Sequence, residues 1–115
     1  MKLTPHLINQ VIAEQPRAVL QFYRLVQPKL QLFFQNKIAN QDDRQEVIQD
    51  TMLSIFDSLP QFQGKCQFTT WMRTIASHEL VDYYRRKKIK TLLFSHFPAL
   101  EHIIDKALGP QLALE

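Results

Sequence analysis

The chain has 115 residues, 45% hydrophobic and 22% charged, with a net charge of +3 and only two glycines. That is enough for one domain with a real core, and the scarcity of glycine favours packed helices over a sheet or a disordered tail. One cysteine, Cys66, excludes an internal disulfide framework and a cysteine-based zinc cage. With no apolar run of membrane-spanning length and no signal-peptide order at the N-terminus, a cytoplasmic, reduced protein without membrane contact is expected.

Thr4 before Pro5 suits an N-cap followed by proline at the first helical position, and Leu7, Ile8, Val11 and Ile12 have helical spacing. A helix over about 5–14 is predicted. Pro16 restarts the chain, and Val19, Leu20, Phe22, Tyr23, Val26, Leu30, Phe33, Phe34 and Ile38 predict a long helix over 17–39, read as core. Pro28 lies inside it and removes an amide donor, so a kink or break is expected near Leu25. Asn40 is read as a left-handed stop.

Asp43 followed by Glu46 has the spacing of a capping box ahead of Val47, Ile48, Met52, Ile55, Phe56 and Leu59. Asp42, Asp43, Glu46 and Asp50 could suggest a metal cluster, but acids at a helix start ordinarily satisfy its amides and its positive end. No metal site and no cofactor are therefore expected. Residues 40–62 hold five acids and one base, and Glu46, Gln49, Asp50, Leu53 and Asp57 share the face opposite the apolar positions. Taken alone, such a face is ordinarily a solvated one.

Pro60 ends this helix, and a loop with Gly64 runs to Gln67. Beyond it Phe68, Trp71, Met72, Ile75, Ala76 and Leu80 form one stripe, and Trp71 is expected in the core rather than as a stacking platform. The other face carries Arg73, Thr74, Ser77, Val81, Tyr84, Arg85 and Lys88. Seven bases against two acids lie between Lys65 and Lys90, interleaved with aromatic residues. Cations neutralise phosphates and rings stack on unpaired bases, so the composition suits single-stranded nucleic acid. An ordinary turn at Gly64-Lys65 and a solvated basic helix end are the plainer alternatives. His78 has no partner at zinc spacing.

The ordered set Leu59-Pro60-x-Phe62-x-Gly64, Phe68-x-Thr70-Trp71, Ile75-Ala76, Asp82-Tyr83 and Arg85-Arg86 resembles region 2 of bacterial sigma factors, closest to the extracytoplasmic-function group. The likeness extends upstream over roughly residues 18–60, about 70 positions in all. It departs at Gln67, where the family usually has serine, and at His78, where it often has asparagine. The resemblance implies an all-α domain of about four to five helices over 1–90, with 91–115 an amphipathic tail or the start of a linker. It also implies binding of the RNA polymerase core, through the clamp helices of the largest subunit, by Asp43, Glu46, Gln49, Asp50, Leu53 and Asp57. The non-template single strand of the promoter −10 element would meet Phe62, Gly64, Lys65, Gln67, Phe68, Thr69, Arg73, Thr74, Ser77, Tyr84, Arg85 and Lys88, with the loop capturing a flipped base. Primary sigma factors have a denser aromatic set on this helix, so dependence on a stringent promoter is expected.

The tail departs from the family, in which a polar linker leads to a helix-turn-helix. Leu100, Ile103, Ile104, Ala107 and Leu108 have amphipathic spacing before Gly109-Pro110. Its apolar face would pack on the domain, on a second copy or on an inhibitor. A fragment of a longer sigma factor and a one-domain relative both fit, and Leu114-Glu115 as an expression scar would favour the fragment. Two other functions compete: a stand-alone helical reader of duplex DNA, and a protein-interaction module that binds an anti-sigma factor. No nucleophile–base pair, phosphate-cradling glycine loop or metal spacing points to an enzyme.

Overall fold

The structure is a computed structural model, described here over residues 3–99. Four α-helices follow in order: α1 (Pro5–Ile12), α2 (Pro16–Phe34), α3 (Gln41–Ser58) and α4 (Phe68–His96), with a 3-10 turn at Leu59–Gln61. The fold is all-α, as the composition and periodicity predict. Two compact units divide at Glu79/Leu80, inside α4. The first holds α1 to α3, the 3-10 turn and the start of α4; the second begins at Leu80.

Thr4 caps α1 as expected, its Oγ1 accepting from the Leu7 amide at 3.1 Å. The helix closes early. Glu14 adopts φ 60°, its amide donates to the Val11 carbonyl, and the Gln15 amide donates to the Gln10 carbonyl. This pair of bonds is a Schellman closure, with a glutamate in the left-handed position that glycine usually takes. Pro16 then opens α2.

The core is built on α2. Ala18, Phe22, Val26, Leu30 and Phe34 recur every fourth residue, and the last four have no solvent exposure. The stripe packs on α1 and α3, and each such side chain contributes roughly 1.5–3 kcal/mol when fully buried. Ile38, just beyond the helix, is also buried. Of the kink or break expected near Leu25, the break does not occur, since α2 runs unbroken through Pro28. Pro28 and Arg24, whose carbonyl loses its partner, are both exposed, so water can satisfy that oxygen. The buried stripe on the other side holds both halves in register.

Asn40 is not a left-handed stop. It has φ −73° and caps α3, its Oδ1 accepting from the Asp43 amide at 2.8 Å. The cap thus sits three residues before the anticipated Asp43, because α3 starts at Gln41. The Arg44 guanidinium donates to the Ile38 carbonyl at 2.9 Å, fastening the α2–α3 connection. Gln31 and Gln45 exchange amide hydrogen bonds at 2.9 and 3.1 Å between these helices. On α3, Val47, Ile48, Thr51, Met52 and Ile55 are buried, and the Thr51 hydroxyl is satisfied by the Val47 carbonyl at 2.7 Å. Ser54 donates to Glu79 Oε1 at 2.6 Å, tying α3 to α4 within the first unit.

In the second unit α4 continues past the anticipated limit at residue 90, through Leu92, Leu93 and Phe94 to His96. No glycine or proline interrupts it before Pro98. Tyr83 and Phe94 are buried there, whereas Ile89, Leu92 and Phe97 are exposed. The amphipathic stripe expected from Leu100 to Leu108 lies outside the described residues.

Pro28→Ala should stabilise the protein by about 1–3 kcal/mol, because it restores an amide donor and removes the ring's clash with the Arg24 carbonyl. Thermal or urea unfolding of the variant checks this; an unchanged or lower midpoint would mean that the α2 backbone is already relaxed around the proline.

Candidate nucleic-acid interface

The loop between the 3-10 turn and α4 is held at both ends by aromatic rings. Phe62 precedes it and Phe68 follows it, with ring centroids 5.8 Å apart and nearly perpendicular. Trp71 lies 5.1 Å from Phe62 and 5.6 Å from Phe68. Phe68 also meets Phe22 of α2 edge-on at 5.6 Å, and Phe22 meets Phe56 of α3 at 5.3 Å. The loop's two ends are therefore pinned to the core of the first unit. Trp71 is half-buried in this cluster rather than fully in the core, and Phe62 and Phe68 are half-buried beside it.

Between the pins, residues 63–67 are all exposed. Gly64 has φ 72°, and a Cβ placed there would meet nothing within 4 Å. Left-handed backbone, not close approach, is what demands glycine at this position. The Gln67 carbonyl accepts from the Trp71 amide at 3.1 Å, starting α4. Lys65 and Gln67 thus stand as solvent-facing donors on a loop of fixed ends.

Arg73, Thr74 and Ser77 are exposed on the first part of α4, and Thr69 is half-buried. The Thr74 hydroxyl donates to the Thr70 carbonyl at 3.1 Å, which leaves its lone pairs for an outside donor. Arg73 and Thr69 share a groove of about 520 Å³ with Lys29, Leu32, Phe33, Lys37 and Met72. Lys37 Nζ sits 4.2 Å from the Phe33 ring centroid and donates to the Phe33 carbonyl. Sequence reasoning misses Lys29 and Lys37, because the apolar residues over 17–39 read as core throughout. The signal is nevertheless present: these lysines bracket Leu32, which is 72% exposed and falls off the every-fourth-residue stripe.

In the second unit Tyr84, Arg85 and Lys88 are exposed. Arg85 lies 3.9 Å from Asp82, but both side chains are more than half exposed, so the pair is weak and leaves the guanidinium available to a phosphate. The Lys87 ammonium lies 5.7 Å from the Tyr83 ring centroid.

The acidic face forms on α3 as the spacing predicts. Asp43, Glu46, Asp50, Leu53 and Asp57 follow one another at alternating steps of three and four, opposite the buried residues. Gln49 and Asp57 are exposed, and Leu53 is 64% exposed. Leu53 is the one large apolar side chain among the polar residues of that face, and a singly exposed leucine is ordinary on a protein surface. Among the described residues no group of three His, Cys, Asp or Glu is placed to hold a metal ion, and no helix there is long and apolar enough to cross a membrane.

Residues 22–89 match the sigma-70 region 2 family. The chain belongs to that family. The match covers most of α2, all of α3, the loop and most of α4, and leaves out α1. An extracytoplasmic-function RNA polymerase sigma factor, SigF, of Caulobacter vibrioides is 28% identical over 91 residues, covering 76% of this chain and 49% of that protein. A protein named as a probable RNA polymerase sigma factor in Haemophilus influenzae is 27% identical over 62 residues, 54% of this chain and 32% of its own length. This region 2 chain thus spans about half or less of the curated relatives it matches. No solved structure matches it.

The aromatic pins give a direct test. Trp71→Ala should cost about 2–3 kcal/mol, less than the roughly 3–5 kcal/mol of a fully buried ring, and should quicken amide exchange across residues 63–67. Unchanged melting with unchanged exchange would show that the cluster does not hold the loop.

Proposed function

We propose that this chain is a transcription initiation factor domain that joins the RNA polymerase core and holds the promoter −10 element open. The observation that carries the reading is the exposed, end-pinned loop at residues 63–67, inside a region that belongs to the sigma-70 region 2 family. The names of the two relatives, one an extracytoplasmic-function RNA polymerase sigma factor and the other a probable RNA polymerase sigma factor, support it. The chain acts without catalysis of its own, in the cytoplasm, by binding.

In this reading the acidic α3 face docks on the clamp helices of the largest polymerase subunit. Leu53 supplies the apolar centre, and Asp43, Glu46, Asp50 and Asp57 with Gln49 supply the polar rim. An anti-sigma factor would compete for the same face. The loop takes one base flipped out of the non-template strand, with Lys65 and Gln67 as donors and Gly64 leaving its rim open. Phe62 and Phe68 act as the frame of that loop. Arg73 in the first unit and Arg85 and Lys88 in the second meet phosphates, which positions the strand without reading it.

Two measurements separate these roles. Asp50→Lys combined with Gln49→Ala should weaken capture of core polymerase at least tenfold while leaving the helical circular dichroism intact. Full binding by that variant would remove α3 from the polymerase interface.

On DNA, Arg85→Ala with Lys88→Ala should weaken binding to all single strands alike and reduce the salt slope by about 1.4, or 0.7 for each phosphate no longer neutralised. Lys65→Ala and Gln67→Ala should instead change which base is preferred. A salt slope untouched by the first pair, or a base preference untouched by the second, contradicts the assignment concerned.

A further inference from the structure

The family match begins at residue 22, yet α1 packs on α2 and on the 3-10 turn that leads into the loop. A groove of about 270 Å³ opens between them. Pro5, Ile8 and Asn9 line one side, and Phe62, Gln63 and Gly64 line the other. This is just below the roughly 300–1,000 Å³ of sites for drug-sized molecules, a size suited to one planar heterocycle. Ile8 is buried and Phe62 is fixed by Phe68 and Trp71, so the apolar walls are rigid. The side-chain amides of Asn9 and Gln63 are exposed and make no hydrogen bond among the described residues. No charged side chain lines the groove, and Lys65 and Gln67 follow its last lining residue, Gly64, so they would meet a base held there from outside the groove.

We propose that α1 forms the second wall of the base pocket and that Asn9 is a specificity-determining residue, reading an edge of the unpaired DNA base that the loop receives. The inference rests on the reading of the loop as a base-capturing one. Apolar walls hold the faces of a flipped base, and its edge is read by hydrogen bonds. A carboxamide offers an acceptor beside two donors, which matches the paired donor and acceptor atoms of a base edge. Asn9 and Gln63 approach from opposite walls, so the identity of both sets which base fits. Gly64, without a side chain, leaves the entrance clear.

The test uses the full chain bound to core polymerase and four single-stranded oligonucleotides that differ only in the base at the loop-read position. Asn9→Ala should compress the ratio between the best and worst base by about fivefold or more. Asn9→Asp, which loses the donor, should reorder the four bases, and Asn9→Gln should restore part of the parent's preference. Asn9 is exposed, and melting curves verify that each variant folds. Unchanged ratios in the Asn9 variants, alongside a shift in Lys65→Ala or Gln67→Ala, overturn the role of α1 and leave the loop reading standing. Unchanged ratios in every variant overturn both. A uniform loss of binding to all four bases in Asn9→Ala would make α1 a support without specificity, and would equally overturn the proposal.

Discussion

The aromatic contact between Phe62 and Phe68, completed by Trp71 and continued inward through Phe22 to Phe56, is what the placement of the 63–67 loop depends on. A loop containing a left-handed glycine and no buried side chain of its own would otherwise sample many shapes. With its ends held at ring-contact distance the loop has less freedom to lose, and in the proposed role that restriction would lower the ordering cost of taking up a base. The same rings join three helices: Phe22 from α2, Phe56 from α3, and Phe68 with Trp71 from α4. Folding of the core and presentation of the loop are therefore one event.

The α2 stripe explains why so small a domain can carry a stiff site. Phe22 belongs at once to the every-fourth-residue series that organises the core and to the ring cluster. A mutation that loosens α2 would be felt at the loop, although the two lie far apart in sequence. Polar pairs add direction rather than bulk. The Gln31–Gln45 pair fixes α3 against α2, and Ser54–Glu79 fixes α4 against α3. With the orientation of α3 set, Leu53 and Asp57 face water, and Asp43, Glu46 and Asp50 lie half-buried on the same face.

The helices, their order and the Thr4 cap are legible in the sequence because apolar periodicity and proline positions report on local geometry. Trp71 and the phenylalanines flanking the loop can be recognised, but not their mutual packing, since Phe22 and Phe56 come from remote helices. Pro28 does not break α2, because its local penalty is set against the buried stripe that runs past it on the other side. Asn40 misleads because asparagine serves both as a left-handed stop and as an N-cap, and only the start of α3 decides between them. Lys29 and Lys37 stay hidden because apolar residues on two faces of α2 look like burial all round, whereas Leu32 is open to water. The neighbourhood of α1 and the loop depends on tertiary packing and has no signal in sequence order. The family assignment needs the ordered motifs over tens of residues, and no composition argument could replace them.

In the proposed role a preformed loop receives an unpaired base. Its most direct test is the affinity of the chain, bound to core polymerase, for one −10 sequence offered as the non-template single strand and as intact duplex. Opening and flipping cost a few kcal/mol, so the single strand should bind tighter by about tenfold or more. Equal affinity for the two forms would contradict it and would make the basic helix a reader of duplex DNA.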